Sequence, residues 1–333
     1  MYNNKEILIT GGTGSFGNAF CRKLINKKFK PRRLIIYSRD EFKQAEMQKK
    51  FPVNKFPFIR FFIGDVRDKE RLSRAMENID IVIHAAALKH VNLGEYNPME
   101  VIKTNVLGAQ NIVDVCLDKN VKNVIALSTD KASSPINLYG ASKLCSDKIF
   151  LSANNIKGSR LTKFSIVRYG NVLGSRGSVV PIFVDLNNKN KKFTLTHNEM
   201  TRFNITLDEG VDFVDWCLKN NIGGEIFVPK LKSFKVTDLA RAINKNASFL
   251  NVGLRPGEKI HEELISESDT LNTLEGKKHF VILNNHTLSD IEKYKKKKNL
   301  KKFKLKSKYS SDLNKSFLTV ENLAKILKEN KFV

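Results

Sequence analysis

The sequence predicts an α/β fold, a parallel doubly wound sheet with a smaller lobe toward the C-terminus. Three observations carry the prediction. Short apolar runs recur near residues 5–10, 33–37, 58–63, 80–84, 122–128 and 163–168, with helical stretches between them. Strands that alternate with helices build parallel sheets. The first run leads straight into a glycine-rich turn and then a helix. Past about residue 170 the alternation gives way to loops, short strands and a helix near 207–220, the mark of a smaller substrate lobe.

The first strand, Ile7-Leu8-Ile9, is followed by Thr10-Gly11-Gly12-Thr13-Gly14-Ser15-Phe16-Gly17 and a helix with apolar positions Phe16, Phe20, Leu24 and Ile25. Glycine at 11, 14 and 17 allows a tight turn, close approach of backbone to a pyrophosphate, and close packing of helix on strand. The helix N-terminus then faces the phosphates. A strand before and a helix after are the context this motif needs. Gly11, Thr13, Gly14, Ser15, Phe16 and Gly17 are therefore expected to bind a dinucleotide in a Rossmann-like domain. The G-x-x-G-x-x-G spacing points to the short-chain dehydrogenase branch.

The second strand, Leu34-Ile35-Ile36-Tyr37, ends in Ser38-Arg39, with Lys43 one helical turn later. An NAD enzyme usually places an acid here to hold the ribose 2′-hydroxyl. A guanidinium and an ammonium suit a 2′-phosphate, so NADP is expected. Asp40 and Glu41 stand beside them and keep NAD open, with Arg39 then stacking on adenine. Gly64-Asp65-Val66 ends the third strand and places Asp65 for the adenine amino group, with Val66 beside it. His84-Ala85-Ala86-Ala87 ends the fourth, where small residues admit the cofactor.

The fifth strand, Val124-Ile125-Ala126-Leu127, leads into Ser128-Thr129-Asp130-Lys131, and Tyr139 and Lys143 follow on a helix after Pro135. Ligands of open α/β sheets bind at the C-terminal ends of the strands. Tyr139 and Lys143, four apart, share a helix face. Lys143 can hydrogen-bond a ribose and, by its charge, favour the Tyr139 phenolate. A phenol that starts near pKa ~10 then serves as a general base. Taken alone, the pair also fits an exposed tyrosine and a solvated lysine; the upstream motif gives it weight.

Composition agrees with an enzyme of this kind. The 333 residues suffice for residues 1–170 as an NADP-binding domain, with core elements also drawn from later segments, and 171–333 as mainly a substrate-binding lobe. Cysteines 21, 116, 145 and 217 are scattered without a C-x-x-C, so neither a metal site nor a disulfide scaffold is expected. No apolar signal core precedes the first strand. The longest apolar run, around 79–88, is broken by Asp80 and His84 and is too short to span a bilayer. A cytoplasmic protein with no membrane association is expected. The net charge of +24 includes ten lysines between Lys293 and Lys308 without an acid. No interleaved aromatic recognition motif accompanies them, so a solvated surface is expected rather than a nucleic-acid site. Residues 293–308 are a candidate mobile segment before a last helix near 319–329.

Several blocks occur in one order: Thr10 to Gly17, Ser38-Arg39-Asp40-Glu41, Gly64 to Asp68, His84 to His90, Ser128 to Lys143, Arg168-Tyr169-Gly170-Asn171-Val172, Met200-Thr201-Arg202-Phe203 and Arg255-Pro256-Gly257-Glu258-Lys259. Together they resemble an extended short-chain dehydrogenase. More narrowly, they resemble the inverting UDP-N-acetylglucosamine 4,6-dehydratases that open pseudaminic acid synthesis. The resemblance runs from about residue 5 to 265. It implies oxidation of the sugar at C4, loss of water across C5 and C6, and return of the hydride to C6. It assigns Tyr139 as base for the C4 hydroxyl with Thr129 holding that oxygen, Lys131 to the C5 proton and Asp130 to the departing C6 hydroxyl. Lys131 must then be neutral and Asp130 protonated when they act, so both pKa values should be shifted. Ala85, Ala86, Lys89, Lys143 and Val172 join the cofactor contacts. Lys89, Asn171 and Arg176 resemble substrate-binding positions, and Arg255, Glu258 and Arg202 contacts to the nucleotide end.

Retaining dehydratases usually carry Asp-Glu where this chain has Asp130-Lys131, and membrane-bound relatives often carry Met at Tyr139. The resemblance also implies a homo-oligomer and a downstream aminotransferase. Two residues keep a plainer alternative: Asn171 as a turn cap, and Arg202 as a partner of Asp208. Other functions stay open at this point. One is a retaining dehydratase or 4-epimerase on the same scaffold. The other is a non-catalytic nucleotide- or RNA-binding regulator.

Overall fold

The computed structural model describes residues 1–175, 177–284, 286–303 and 308–333. Six parallel strands, β1 (Glu6–Thr10), β2 (Arg33–Ser38), β3 (Ile59–Ile63), β4 (Ile81–His84), β5 (Asn123–Thr129) and β6 (Lys163–Tyr169), line up in the order β3-β2-β1-β4-β5-β6. Strand order reverses between β1 and β4, which opens a crevice at their C-terminal ends where ligands bind in such sheets. The ladder joins Thr10 to Tyr37 on one side and to His84 on the other, and Thr129 to Tyr169. The turn residues, the alanines after β4 and the Thr129 segment therefore share one edge.

Beyond β6 the same sheet takes Ile226–Pro229 in parallel, then His279–Ile282, Thr273–Glu275 and Lys301–Lys302 antiparallel. Each central strand is buried on both faces. Leu8, Ile35, Val82 and Val124 enter one core, and Ile7, Ile9, Ile36, Ile83 and Ile125 the other. That two-sided burial is why these strands read as unbroken apolar runs. A third core, with Leu173, Phe183, Phe193, Phe234, Leu239 and Leu323, holds the lobe beside the crevice.

The lysine-rich stretch differs from the mobile segment expected. Its first part completes the helix Leu288–Lys298, and Lys301–Lys302 pair with Thr273–Glu275. Ile291 and Tyr294 anchor that helix in the core while its lysines face outward. Residues 304–307 of the stretch lie outside the described residues.

Helix α1 (Ser15–Asn26) packs tightly on the turn that precedes it. A Cβ on Gly17 would lie 1.9 Å from the Gly12 carbonyl oxygen. Gly17→Ala should therefore push α1 off β1 and cost about 1–3 kcal/mol. Denaturant unfolding checks this, and an unchanged midpoint would refute the packing argument.

Candidate active site

The crevice begins at the N-terminus of α1. Gly14 occupies the cap position without a side-chain cap, and the first turn carries no acid. The first backbone N–H groups are therefore available to an anion. Gly11 has φ +62°, and a Cβ on it would sit 2.9 Å from the Ala86 backbone. The turn thus lies directly against the end of β4, where Thr10 Oγ1 accepts from the Ala85 and Ala86 amides at 3.2 and 3.3 Å. A glycine cradle, a bare helix end and small neighbours suit the diphosphate of a dinucleotide.

At the end of β2, Thr13 Oγ1 and Ser38 Oγ are 2.8 Å apart. Arg39 is about half exposed and lies 3.4 Å from Asp65. Asp65 also binds Arg67 at 2.7 Å. Burial raises its pKa, but the Arg67 hydrogen bonds outweigh burial and hold the carboxyl below its usual range. Lys43, expected with Arg39 as a cation for a 2′-phosphate, has its ammonium 2.5 Å from Asp40, whose carboxylate also caps the following helix through the Lys43 amide.

The end of β5 carries the densest chemistry. Thr129 Oγ1 donates to Asp130 Oδ1 at 2.9 Å, and the same oxygen accepts from Lys131 Nζ at 3.2 Å. Lys131 Nζ also donates to Glu262 Oε1 at 3.0 Å. Arg202 Nε lies 3.6 Å from that same Glu262 oxygen. Asp130 and Glu262 are almost wholly buried, at 1% and 2% exposed. Asp130 Oδ2 and Glu262 Oε2 have no hydrogen-bond partner. Burial, reinforced by Glu262, pushes the Asp130 carboxyl up despite the pull of Lys131. That direction suits an acid.

Two expectations about protonation are corrected here. Lys131 was expected to be shifted toward its neutral form. Burial does push it down, but the Asp130 and Glu262 carboxylates outweigh burial and hold the ammonium above its usual range. Lys143 was expected to favour the Tyr139 phenolate. Burial pushes Tyr139 up to about 12, and the groups that oppose this are Lys131, by its charge, and the nearby Thr129 hydroxyl. Lys143 is 3% exposed, and burial lowers its own pKa, partly offset by Asp147. Lys143 is not among the groups that shift the Tyr139 phenol.

Below the site runs a buried ion network. Ser128 Oγ donates to Asp147 at 2.8 Å, Arg168 lies 3.3 Å from Asp147 and 3.2 Å from Asp269, and Arg168 also reaches the Leu264 carbonyl at 3.3 Å. It ties β5, β6 and the helix Leu138–Ile156 to the chain around 264–269.

The crevice widens into a cavity of about 320 Å³ whose wall includes Lys131, Asn171, Val172, Arg202, Arg255 and Glu258. Asn171 does not cap a turn. It pairs with Asn204 in a short parallel ladder, and its Oδ1 is buried without a partner. Arg202 faces Glu262 and Glu258, not Asp208, and donates to the Thr201, Lys259 and Ile260 carbonyls. The Arg255 amide donates to Glu258 at 3.3 Å. Partial burial and the charge of Lys131 lower the Lys89 pKa, which places Lys89 near the cluster. Arg176 lies outside the described residues.

Glu262, Asp147, Arg168 and Asp269 were not among the expected site residues. The signals were faint: an acidic pair, Glu262-Glu263, opening a short apolar strand, and an arginine inside the apolar run of β6.

Comparison with known proteins gives the site a setting. A family described as "Polysaccharide biosynthesis protein" matches residues 7–284. A UDP-N-acetylglucosamine 4,6-dehydratase (inverting) from Campylobacter jejuni subsp. jejuni serotype O:2 is 55% identical over 283 residues, covering 85% of this chain and 84% of that protein. A UDP-glucose 4-epimerase from Rickettsia felis is 40% identical over 275 residues, 81% of this chain and 80% of its own. The X-ray structure of Pen from Bacillus thuringiensis is 35% identical with a TM-score of 0.90, covering 100% of this chain and 99% of that one. Among the described residues no helix is long and apolar enough to cross a membrane. The family match runs from β1 to the antiparallel strand His279–Ile282 and takes in every residue of the crevice described above, so the chain belongs to the polysaccharide biosynthesis protein family.

Proposed function

We propose that this chain is a UDP-N-acetylglucosamine 4,6-dehydratase that inverts C5, giving UDP-2-acetamido-2,6-dideoxy-β-L-arabino-hexos-4-ulose. The observation that carries this reading is the Asp130–Lys131 pair set beside the Thr129 and Tyr139 hydroxyls. Removal of a hydride from C4 needs only the second of these. Loss of water across C5 and C6 needs a base and an acid besides, and the pair supplies both.

Tyr139 takes the proton of the C4 hydroxyl in its phenolate form, which the Lys131 charge favours against burial, while Thr129 holds the oxygen. Lys131 takes the C5 proton, which the C4 carbonyl has made acidic. Asp130, pushed toward its protonated form by burial, donates to the departing C6 hydroxyl. Asn171, Lys89, Arg202, Arg255 and Glu258 form the substrate side, with Arg255 suited to a diphosphate. A nicotinamide dinucleotide held in this cradle would supply the hydride chemistry, with C4 as the donor position and C6 as the acceptor position. Gly11, Thr13, Gly14, Ser15, Phe16 and Gly17 would hold its diphosphate, and Lys143 its ribose. Asp65, Val66, Ala85, Ala86 and Val172 would line the rest of its path. Ser38 and Arg39 favour NADP over NAD, although Asp40 engages Lys43 and leaves Arg39 as the main phosphate partner. The same reading makes the protein a cytoplasmic homo-oligomer whose keto product passes to an aminotransferase, as in pseudaminic acid synthesis.

A 4-epimerase is the second reading, favoured by the 40% identity to a protein of that name. Turnover of UDP-N-acetylglucosamine in heavy water separates the two. The dehydratase should give a product with one deuterium at C5, hydrogen at C6 carried from C4, and ring couplings of the L-arabino configuration. A D-xylo product would overturn the inversion, and an unlabelled C4 epimer would overturn the dehydratase.

Lys131→Ala should abolish dehydration, by roughly 10²-fold or more, while cofactor stays bound. Near-normal turnover would remove Lys131 from its role. Nucleotide extracted from the purified protein should be NADP. Arg39→Asp should weaken NADP by about 1.5–3 kcal/mol and NAD by less, read by titration calorimetry. Recovery of NAD alone would overturn the assignment.

A further inference from the structure

We propose that Glu262 is the proton acceptor that turns Lys131 into a base. The inference rests on the dehydratase reading and adds a residue to it. A lysine can remove a proton from carbon only with a free lone pair. In this site Lys131 is an ammonium clasped by two carboxyl groups, Asp130 at 3.2 Å and Glu262 at 3.0 Å. Its surplus proton must go somewhere before it acts.

Asp130 cannot take it, because Asp130 must itself deliver a proton to the departing hydroxyl. Glu262 can. Its side chain is 3% exposed, it lies in direct contact with Lys131 Nζ, and its second oxygen is buried without a partner. In the transfer, one Nζ–H bond of Lys131 breaks and an O–H bond forms on Glu262, leaving an amine and a carboxylic acid. No charge leaves the pair and no further reactant is needed.

Substrate binding supplies the reason for the transfer. The Lys131 side chain is 25% exposed and lies in the cavity wall. A sugar seated in that cavity removes the water that solvates the ammonium. A dry ion pair loses its advantage over the neutral pair. After turnover Lys131 holds the C5 proton and Asp130 has lost its own, so as product leaves and water re-enters Glu262 passes its proton to Lys131 while Lys131 passes one to Asp130, which restores the resting charges.

The surrounding charges bias this equilibrium. Asp130 and Tyr139 face Lys131 from the β5 end and the following helix, and Lys89 approaches from the β4 side. Arg202 and Lys259 face Glu262, and both favour its charged form. Glu258 draws on Arg202 at 4.0 Å from the other side, and Glu263 adds negative charge next to Lys259. Arg202 thus keeps Glu262 ionised at rest, which prevents the transfer from occurring in the empty, hydrated cavity.

Glu262→Gln tests the proposal in the purified full chain. Without an acceptor, Lys131 must shed its proton to solvent. The expected result is a kcat lowered roughly 10²-fold near neutral pH, with log kcat rising at unit slope between about pH 6 and about pH 9. The natural enzyme should be nearly flat over that window. Oxidation at C4 does not use Glu262, so the near-ultraviolet absorbance of reduced nicotinamide should still develop on mixing with substrate, which also shows that the variant is folded. Glu262→Asp should recover the flat pH profile at a reduced rate. A Glu262→Gln enzyme with near-normal kcat, or one slowed equally at every pH, would overturn the proposal. Lys131→Ala run in parallel separates the two levels: if it turns over, the dehydratase base has been misassigned; if it is dead while Glu262→Gln is normal, only Glu262 fails.

Discussion

Lys131 and Glu262 are 131 residues apart in the chain and 3.0 Å apart in space. Their ion pair joins the end of β5 to the segment that runs along the far wall of the cavity. Charges this deeply buried are tolerated only when paired and hydrogen-bonded. The contact therefore dictates much of its surroundings. Arg202 must be near to share the Glu262 carboxylate, and three backbone carbonyls must hold Arg202 in turn. Lys259 completes the clasp by donating to the Ser133 carbonyl at 2.8 Å.

A second buried network begins one residue before Thr129. The Ser128–Asp147–Arg168–Asp269 chain sits directly beneath the Thr129–Lys131 segment and crosses three elements of the Rossmann-like layer. Removing one member would leave an uncompensated buried charge, the costly kind of defect. Its position also bears on Lys143. Asp147 lies one helical turn beyond Lys143 and favours its charged form against burial, which keeps an ammonium available for a ribose even though its influence on Tyr139 is small.

The sheet explains why the two networks meet at the cofactor cradle. Strand order reverses between β1 and β4, so the glycine turn, the alanines after β4 and the Thr129 segment emerge at one edge. The close contact between Gly17 and Gly12 brings the bare N-terminus of α1 to that edge. A hydride donor and a sugar placed there would lie between a positive helix end and a cluster of opposed charges, a preorganised polar setting of the kind that stabilises developing charge.

Local pattern by itself determined the strands β1 to β6, the cradle, and the Thr129, Asp130, Lys131, Tyr139 and Lys143 constellation. Each is encoded within a few neighbouring residues: an apolar run buried on both faces, a glycine spacing, a four-residue helical interval. Tertiary structure decided what those residues do electrically. The chain around Lys131 holds no sign of Glu262, and the Ser38-Arg39 stretch holds no sign that Asp65 and Arg67 crowd the same corner. It also decided that Lys301–Lys302 join a sheet whose first strand begins at Glu6. The physical reason is range. Helix and strand periodicity are local properties of the backbone, whereas protonation depends on burial and on charges within a few ångströms, whichever part of the chain supplies them.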